Sequence, residues 1–190
     1  MDAKTVINLG LAKLGASINS ISPASTSLEK HCASFYPQWK ASELTKRRWV
    51  FATQYISLNR NLTATVTEER PYAFDLPATV LRLIRPKAAL WEQNGKFILS
   101  HDTTLTVKAV VNADENDCHP LFIDVLSVRV ARECVEKVTE SNVKYSTIKQ
   151  WYADAIREAG QGNAIIIGPE DNGEPDEIDP WVAARYGFGV

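Results

Sequence analysis

The sequence predicts an α+β fold: an α-helical bundle with an inserted small antiparallel β-sheet or sandwich and an extended C-terminal arm. Three observations carry that expectation. Apolar residues recur at three- and four-residue spacing in residues 1–48 and 119–160, as in helices with one buried face. Residues 49–118 change to β-branched and aromatic alternation broken by Pro and Asn-Gly, which makes them the β-rich insertion. Residues 161–190 are rich in Gly, Pro and acids before a final aromatic run, and read as a flexible acidic linker with a docking arm.

The first helix is expected over Thr5 to Leu14, stopped by Gly15, where a left-handed cap costs glycine little. After a serine-rich turn, Thr26-Ser27-Leu28-Glu29 has the spacing of a capping box and opens the second helix. Leu28, Cys32, Phe35, Tyr36 and Trp39 form its expected apolar stripe, and Pro37 inside that stripe is expected to kink the helix or start a new one. The helix ends in Lys46-Arg47-Arg48, a cationic turn suited to the negative end of the helix dipole. Trp49-Val50-Phe51-Ala52 then begins the strand-like pattern.

Within the insertion, Pro71 to Pro77 is expected to be a proline-bounded extended segment, and strands are expected over Tyr55 to Val66, over Val80 to Ile84 and over Thr104 to Val111. Between the last two, Trp91 to Leu99 contains Asn94-Gly95, the signature of a two-residue hairpin turn. Asp114 to Asp117 reads as a solvated acidic turn, and Pro120 fits the first turn of a third helix with a broad apolar face. Tyr145 to Ala159 is a fourth amphipathic helix, capped at Gly160, with Ile148, Trp151, Tyr152, Ala155 and Ile156 inward.

Composition bounds the function. At 190 residues with 45% hydrophobic content, the chain can bury a real core as one decorated domain. The net charge of −2 hides an asymmetry: residues 161–190 carry six acids and one base, Arg185, leaving the rest near +3. That balance is too mild to argue nucleic-acid binding by charge alone. Cys32, Cys118 and Cys134 are read as reduced, mostly buried thiols of a protein made in the cytoplasm. No apolar run reaches signal-peptide or membrane-spanning length.

Chemical motifs are sparse. His31-Cys32 and Cys118-His119 lack zinc-ligand spacing, since adjacent helical residues point about 100° apart. Asp114-Glu115-Asn116-Asp117 opens like a calcium loop, but His119 stands where glycine is needed and Val125 where glutamate is needed. His101-Asp102 on a strand would face opposite sides of the sheet and could not orient one another. With no phosphate-cradling loop or nucleophile elbow in the sequence, the reading is a non-enzyme without cofactor or metal. A hydrolase using His101 or His119 is the weakest reading. A protein- or nucleic-acid-binding module using the basic helix end at Lys40, Lys46, Arg47 and Arg48 is the stronger alternative.

Taken together, several short motifs resemble one family. They are Ala12-Lys13-Leu14-Gly15; Phe35-Tyr36-Pro37 with Glu43-Leu44; Trp49-Val50-Phe51-Ala52; and Tyr72-Ala73-Phe74-Asp75-Leu76-Pro77-Ala78 with Leu81-Arg82. Trp91 to Ile98, Pro120-Leu121-Phe122 and Trp181 to Arg185 complete the series. In their order and spacing they resemble the head-to-tail adaptors of short-tailed bacteriophages, the tail tubular protein A group, over nearly the full chain. The resemblance implies a virion protein, made in the host bacterial cytoplasm, that forms a ring of about twelve copies beneath the portal vertex. Its implied partners are the portal protein, the tail nozzle protein, further copies of itself, and genomic DNA passing through the lumen without sequence-specific binding. It implies no membrane. Carried onto this chain, Trp181, Arg185, Tyr186 and Phe188 become candidates for the portal contact, and residues 53–111 the nozzle face.

Overall fold

The computed structural model describes residues 1–88, 90–139 and 142–167 and shows an α+β fold of four helices and antiparallel sheets. Helix α1 (Ala3–Ala12) starts earlier than the apolar pattern suggests, because the Asp2 side chain accepts the Thr5 N–H as an N-cap. Gly15 takes φ +78°, as its place after the helix requires. Where α1 crosses α3 (Pro120–Val138), a side chain on Gly10 would collide with the Ser127 carbonyl and come 2.8 Å from Val130 Cβ. Glycine there lets the two backbones approach.

Helix α2 (Ser27–Lys46) opens on the expected capping box, with Glu29 as its centre. The Glu29 carboxylate accepts the N–H groups of Asn19, Ser20, Ser25 and Thr26 and the Ser25 hydroxyl, at 2.6–3.1 Å. Those bonds, led by the Ser25 hydroxyl, hold the carboxyl well below its ordinary range. Ionised Glu29 therefore contributes stability that is present above its unfolded value and is lost as pH falls toward the depressed folded value. Glu29→Gln is expected to remove that contribution: urea midpoints measured between neutral and acidic pH should fall steeply with acid in the parent and less steeply in the variant.

The stripe α2 buries differs from the apolar pattern. Phe35 is 42% exposed, whereas Glu29, Lys40 and Glu43 lie inside with Cys32, Tyr36, Trp39 and Leu44. Those charged side chains are taken up by partners on other segments, which the apolar periodicity of one helix does not reveal. Pro37 does not end the helix, which continues through it as one element while forgoing the bond from residue 37 to the Ala33 carbonyl.

Trp49 is buried to 2% exposure and leads through a 3-10 turn (Val50–Ala52) into β1 (Thr53–Leu58). The remaining strands are β2 (Arg60–Asn61), β3 (Tyr72–Asp75), β4 (Val80–Pro86), β5 (Trp91–Asn94), β6 (Phe97–Ser100) and β7 (Leu105–Val111). They form two antiparallel sheets, ordered β1-β7-β4 and β2-β3-β6-β5. Leu58, Phe74, Ile98, Leu105, Val107 and Ala109, drawn from both, share one core, so the insertion is a small sandwich. The chain passes from one sheet to the other at Asn59, between β1 and β2.

Two local expectations are corrected here. Residues 62–66 are not strand: the Asn61 side chain accepts the Thr63 and Ala64 N–H groups, turning the chain and leaving Leu62 82% exposed. The hairpin turn is centred one residue later than Asn94-Gly95. Asn94 pairs with Phe97, and Gly95 alone takes a positive φ of 58°, which fits a turn with glycine in its first central place.

Strand β7 separates two cores. Leu105, Val107 and Ala109 face the sandwich, and Val110 on the other side joins the helical core with Leu11, Leu44, Trp49 and Phe122. Helix α3 is capped by His119, whose Nδ1 accepts the Leu121 N–H, and begins at Pro120 as the sequence suggests. It is the centre of the bundle, burying Phe122, Val125, Leu126, Val130 and Cys134 among others. Helix α4 (Asn142–Ile167) is longer than expected: it passes through Gly160, where the Arg47 guanidinium occupies the space a side chain would fill, and continues into the stretch read as linker. Ile148 is buried on it, but Trp151 is 45% exposed. No helix among the described residues is long and apolar enough to cross a membrane.

Candidate assembly surfaces

At the basic end of α2, Lys40, Lys46 and Arg47 lie in three different environments. Lys40 Nζ lies 3.0 Å from Glu115 in an ion pair with both side chains nearly buried, and the Tyr36 hydroxyl donates to the same carboxylate at 3.1 Å. Burial, then the Glu115 charge, pushes the Tyr36 phenol up, so it stays a donor. Glu115 is therefore not a member of a solvated turn: the Asp114–Asp117 turn, held by the Asn116 N–H on Asp114 Oδ1, aims it at α2.

Lys46 lies 2.7 Å from Glu43 and donates to the Tyr152 hydroxyl at 2.7 Å. Glu43 is fully buried; it also receives the Tyr152 hydroxyl at 2.8 Å and lies 3.3 Å from Arg129. Arg129 and Arg132 in turn lie 3.0 and 2.9 Å from Glu133, and the Arg132 guanidinium sits 4.7 Å from the Tyr152 ring centre. Helices α2, α3 and α4 are thus joined by one charged network around Glu43. In the sequence its signal is the placement of Glu43 seven residues after Tyr36 on the buried face.

Arg47 lies against Gly160, and the backbone beside it is clamped from α4. Asn163 donates to the Arg48 carbonyl at 2.8 Å and accepts the Val50 N–H at 2.9 Å. Next to this clamp an apolar recess of about 160 Å³ is lined by Trp49, Val50, Phe51, His119, Ala159, Asn163 and Ile166. The exit of α4, the first turn of α3 and the entry to the sandwich therefore meet at one place.

The other residues singled out by sequence are dispersed. His101 and Asp102 lie in a bend after β6, both exposed, and not on a strand. His31 is grouped with Phe35 and Trp39, with ring centroids 4.8 and 5.6 Å away, and burial and the Lys137 charge hold its imidazole below the ordinary value. Cys32 and Cys134 are buried with sulfurs 3.9 Å apart, while Cys118 donates to the Asp114 carbonyl and burial raises its thiol to about 11. Among the described residues no group of three His, Cys, Asp or Glu is placed to hold a metal ion. Trp181, Arg185, Tyr186 and Phe188 lie outside the described residues.

Large apolar side chains are exposed on both parts of the fold. The helices present Leu9, Phe35, Trp151 and Ile165, and the insertion presents Tyr55, Leu62, Leu90 and Trp91. Scattered single residues of this kind are ordinary on a monomer, but here they include two tryptophans and extend over both modules. A scan against models of known protein families matches none of them, and a search of curated proteins finds no significant relative.

Proposed function

We propose that this protein is a structural head-to-tail connector of a bacteriophage virion: a ring-forming adaptor that extends the DNA channel below the portal and receives the tail nozzle. The observation that carries the reading is the exposed apolar surface on both the helical body and the sandwich. A ring subunit needs two different, complementary flanks that repeat with rotational closure, and a two-module body offers both. The pairing of two of the helix-end cations supports it further. A conduit must let DNA slide, and each unmatched cation on a phosphate adds affinity; Lys40 and Lys46 are already matched by Glu115 and Glu43. The same pairing takes Lys40 and Lys46 out of a nucleic-acid module built on that basic turn, which would rest on Arg47 and Arg48.

On this reading Trp181, Arg185, Tyr186 and Phe188 reach the portal protein, and residues 53–111 face the nozzle. The test is native mass spectrometry of the full chain, alone and mixed with the portal protein of the same phage. The expected result is a monomer that adds about one copy per portal subunit, as ring symmetry requires, and no longer adds when residues 170–190 are deleted. Absence of any portal complex across the salt range would overturn the connector, and retained binding by the truncated chain would overturn the role of the arm.

A further inference from the structure

The helical body holds a second piece of chemistry, which does not depend on the connector reading. Cys32 on α2 and Cys134 on α3 are fully buried, and their sulfurs stand 3.9 Å apart across the helix pair. A disulfide needs about 2.05 Å, so the sulfurs must close by about 1.9 Å, a movement within reach of rotation about two short side chains. The two residues are 102 positions apart, and the Trp49 junction and the whole sandwich lie between them in the chain.

The two thiols are not equivalent. Cys32 is part of the wall of a recess of about 230 Å³ that is also lined by Ile7, Ile21, Tyr36, Lys40 and Glu115, whereas Cys134 is not part of that lining. The recess is ample for a molecule about twice the size of water. With Cys134 as the donor, the hydrogen bond between the sulfurs holds the Cys32 thiol below its ordinary value and the Cys134 thiol above it. Cys118 differs from both: it donates to the Asp114 carbonyl, and burial raises its thiol to about 11, so it carries little thiolate.

We propose that Cys32 and Cys134 form a redox pair, in which a hydroperoxide entering the recess is reduced at Cys32 and Cys134 resolves the product into a disulfide that staples α2 to α3. The Cys32 thiolate attacks one peroxide oxygen, the O–O bond breaks, and the departing hydroxide takes up the thiol proton as water, leaving a sulfenic acid. The Cys134 sulfur then displaces the hydroxyl from the Cys32 sulfur, and its own proton leaves with that hydroxyl as a second water. Two thiols are oxidised by two electrons and one peroxide is reduced. Cys32 has no surface open to water, so the first step waits on breathing of the recess wall and is slow. The bond closes a long loop around the insertion, which restricts the unfolded chain and stabilises the folded one.

The test exposes the full reduced chain, freed of reductant, to excess hydrogen peroxide in the absence of denaturant. Thiols titrated after unfolding are expected to fall from three to one while the protein stays monomeric, and peptide mapping should join residues 32 and 134. The urea midpoint should rise, and dithiothreitol should reverse both changes. Cys118→Ser should form the same link. Cys134→Ser is expected to leave a sulfenic acid at Cys32 that dimedone captures, and Cys32→Ser to slow oxidation of Cys134 about tenfold, with circular dichroism confirming each fold. The parent and Cys118→Ser test the proposal even if a buried serine unfolds the other two. Loss of Cys118 alone with the pair still reduced, links only between chains, a bond formed only in urea, or an oxidised form with a lower urea midpoint would overturn it.

Discussion

Glu43→Ala is expected to lower the unfolding free energy by about 3–5 kcal/mol, the range found when one partner of a buried charge network is removed. The carboxylate is fully buried and answers Lys46, Arg129 and the Tyr152 hydroxyl. Without it Arg129, only 16% exposed, and Lys46 lose a shared counter-charge, although Glu133 still lies 3.0 Å from Arg129. Glu43→Gln retains an acceptor and shape, so its loss should be smaller. The double variant with Arg129→Leu should lose less than the sum of the single ones, because the stranded charge is gone. Urea unfolding of the parent and these four variants measures this, and a loss below about 1 kcal/mol for Glu43→Ala would mean that the network contributes little beyond surface pairing.

Trp49→Ala should cost about as much, roughly 3–5 kcal/mol, for a different reason: it empties the largest fully buried side chain from the junction. The indole stands edge-on to Phe122 with centroids 5.0 Å apart and lies 6.0 Å from the Phe51 ring centre. Its N–H donates to the Glu43 carbonyl at 3.0 Å. Trp49→Phe keeps most of the volume and loses that bond, so about 1–2 kcal/mol is expected. Equal losses for the two variants in urea unfolding would show that the hydrogen bond, and not the packing, holds the junction.

Local signals were the legible part of the fold. The capping box at Thr26 and Glu29, the proline start of α3, glycine at positions 15 and 95, and the alternation of Leu105 and Val107 each depend on neighbours within a few residues, which a sequence displays directly. What stayed hidden depends on partners far along the chain. Phe35 and Trp151 are apolar and were expected inward, yet are exposed, while Glu43 and Lys40 are charged and are inside because Arg129 and Glu115 meet them there. The extension of α4 beyond Gly160 was hidden for the same reason: Arg47, more than a hundred residues earlier, fills the place beside the glycine. The approach of Lys87 and Lys108 to the Tyr55 ring could not be read either, since residues this far apart in the chain become neighbours only through strand pairing.

The double allegiance of β7 also bears on how the molecule carries force. Leu105, Val107 and Ala109 are anchored in the sandwich while Val110 is anchored among the helices. A slip of one residue would exchange the two sets and spoil both interiors, so the strand is locked in place from either side. A pull applied to the insertion is therefore transmitted to α2 and α3 through a shared structural member. The two modules should move together as one stiff lever under load and melt in a single transition.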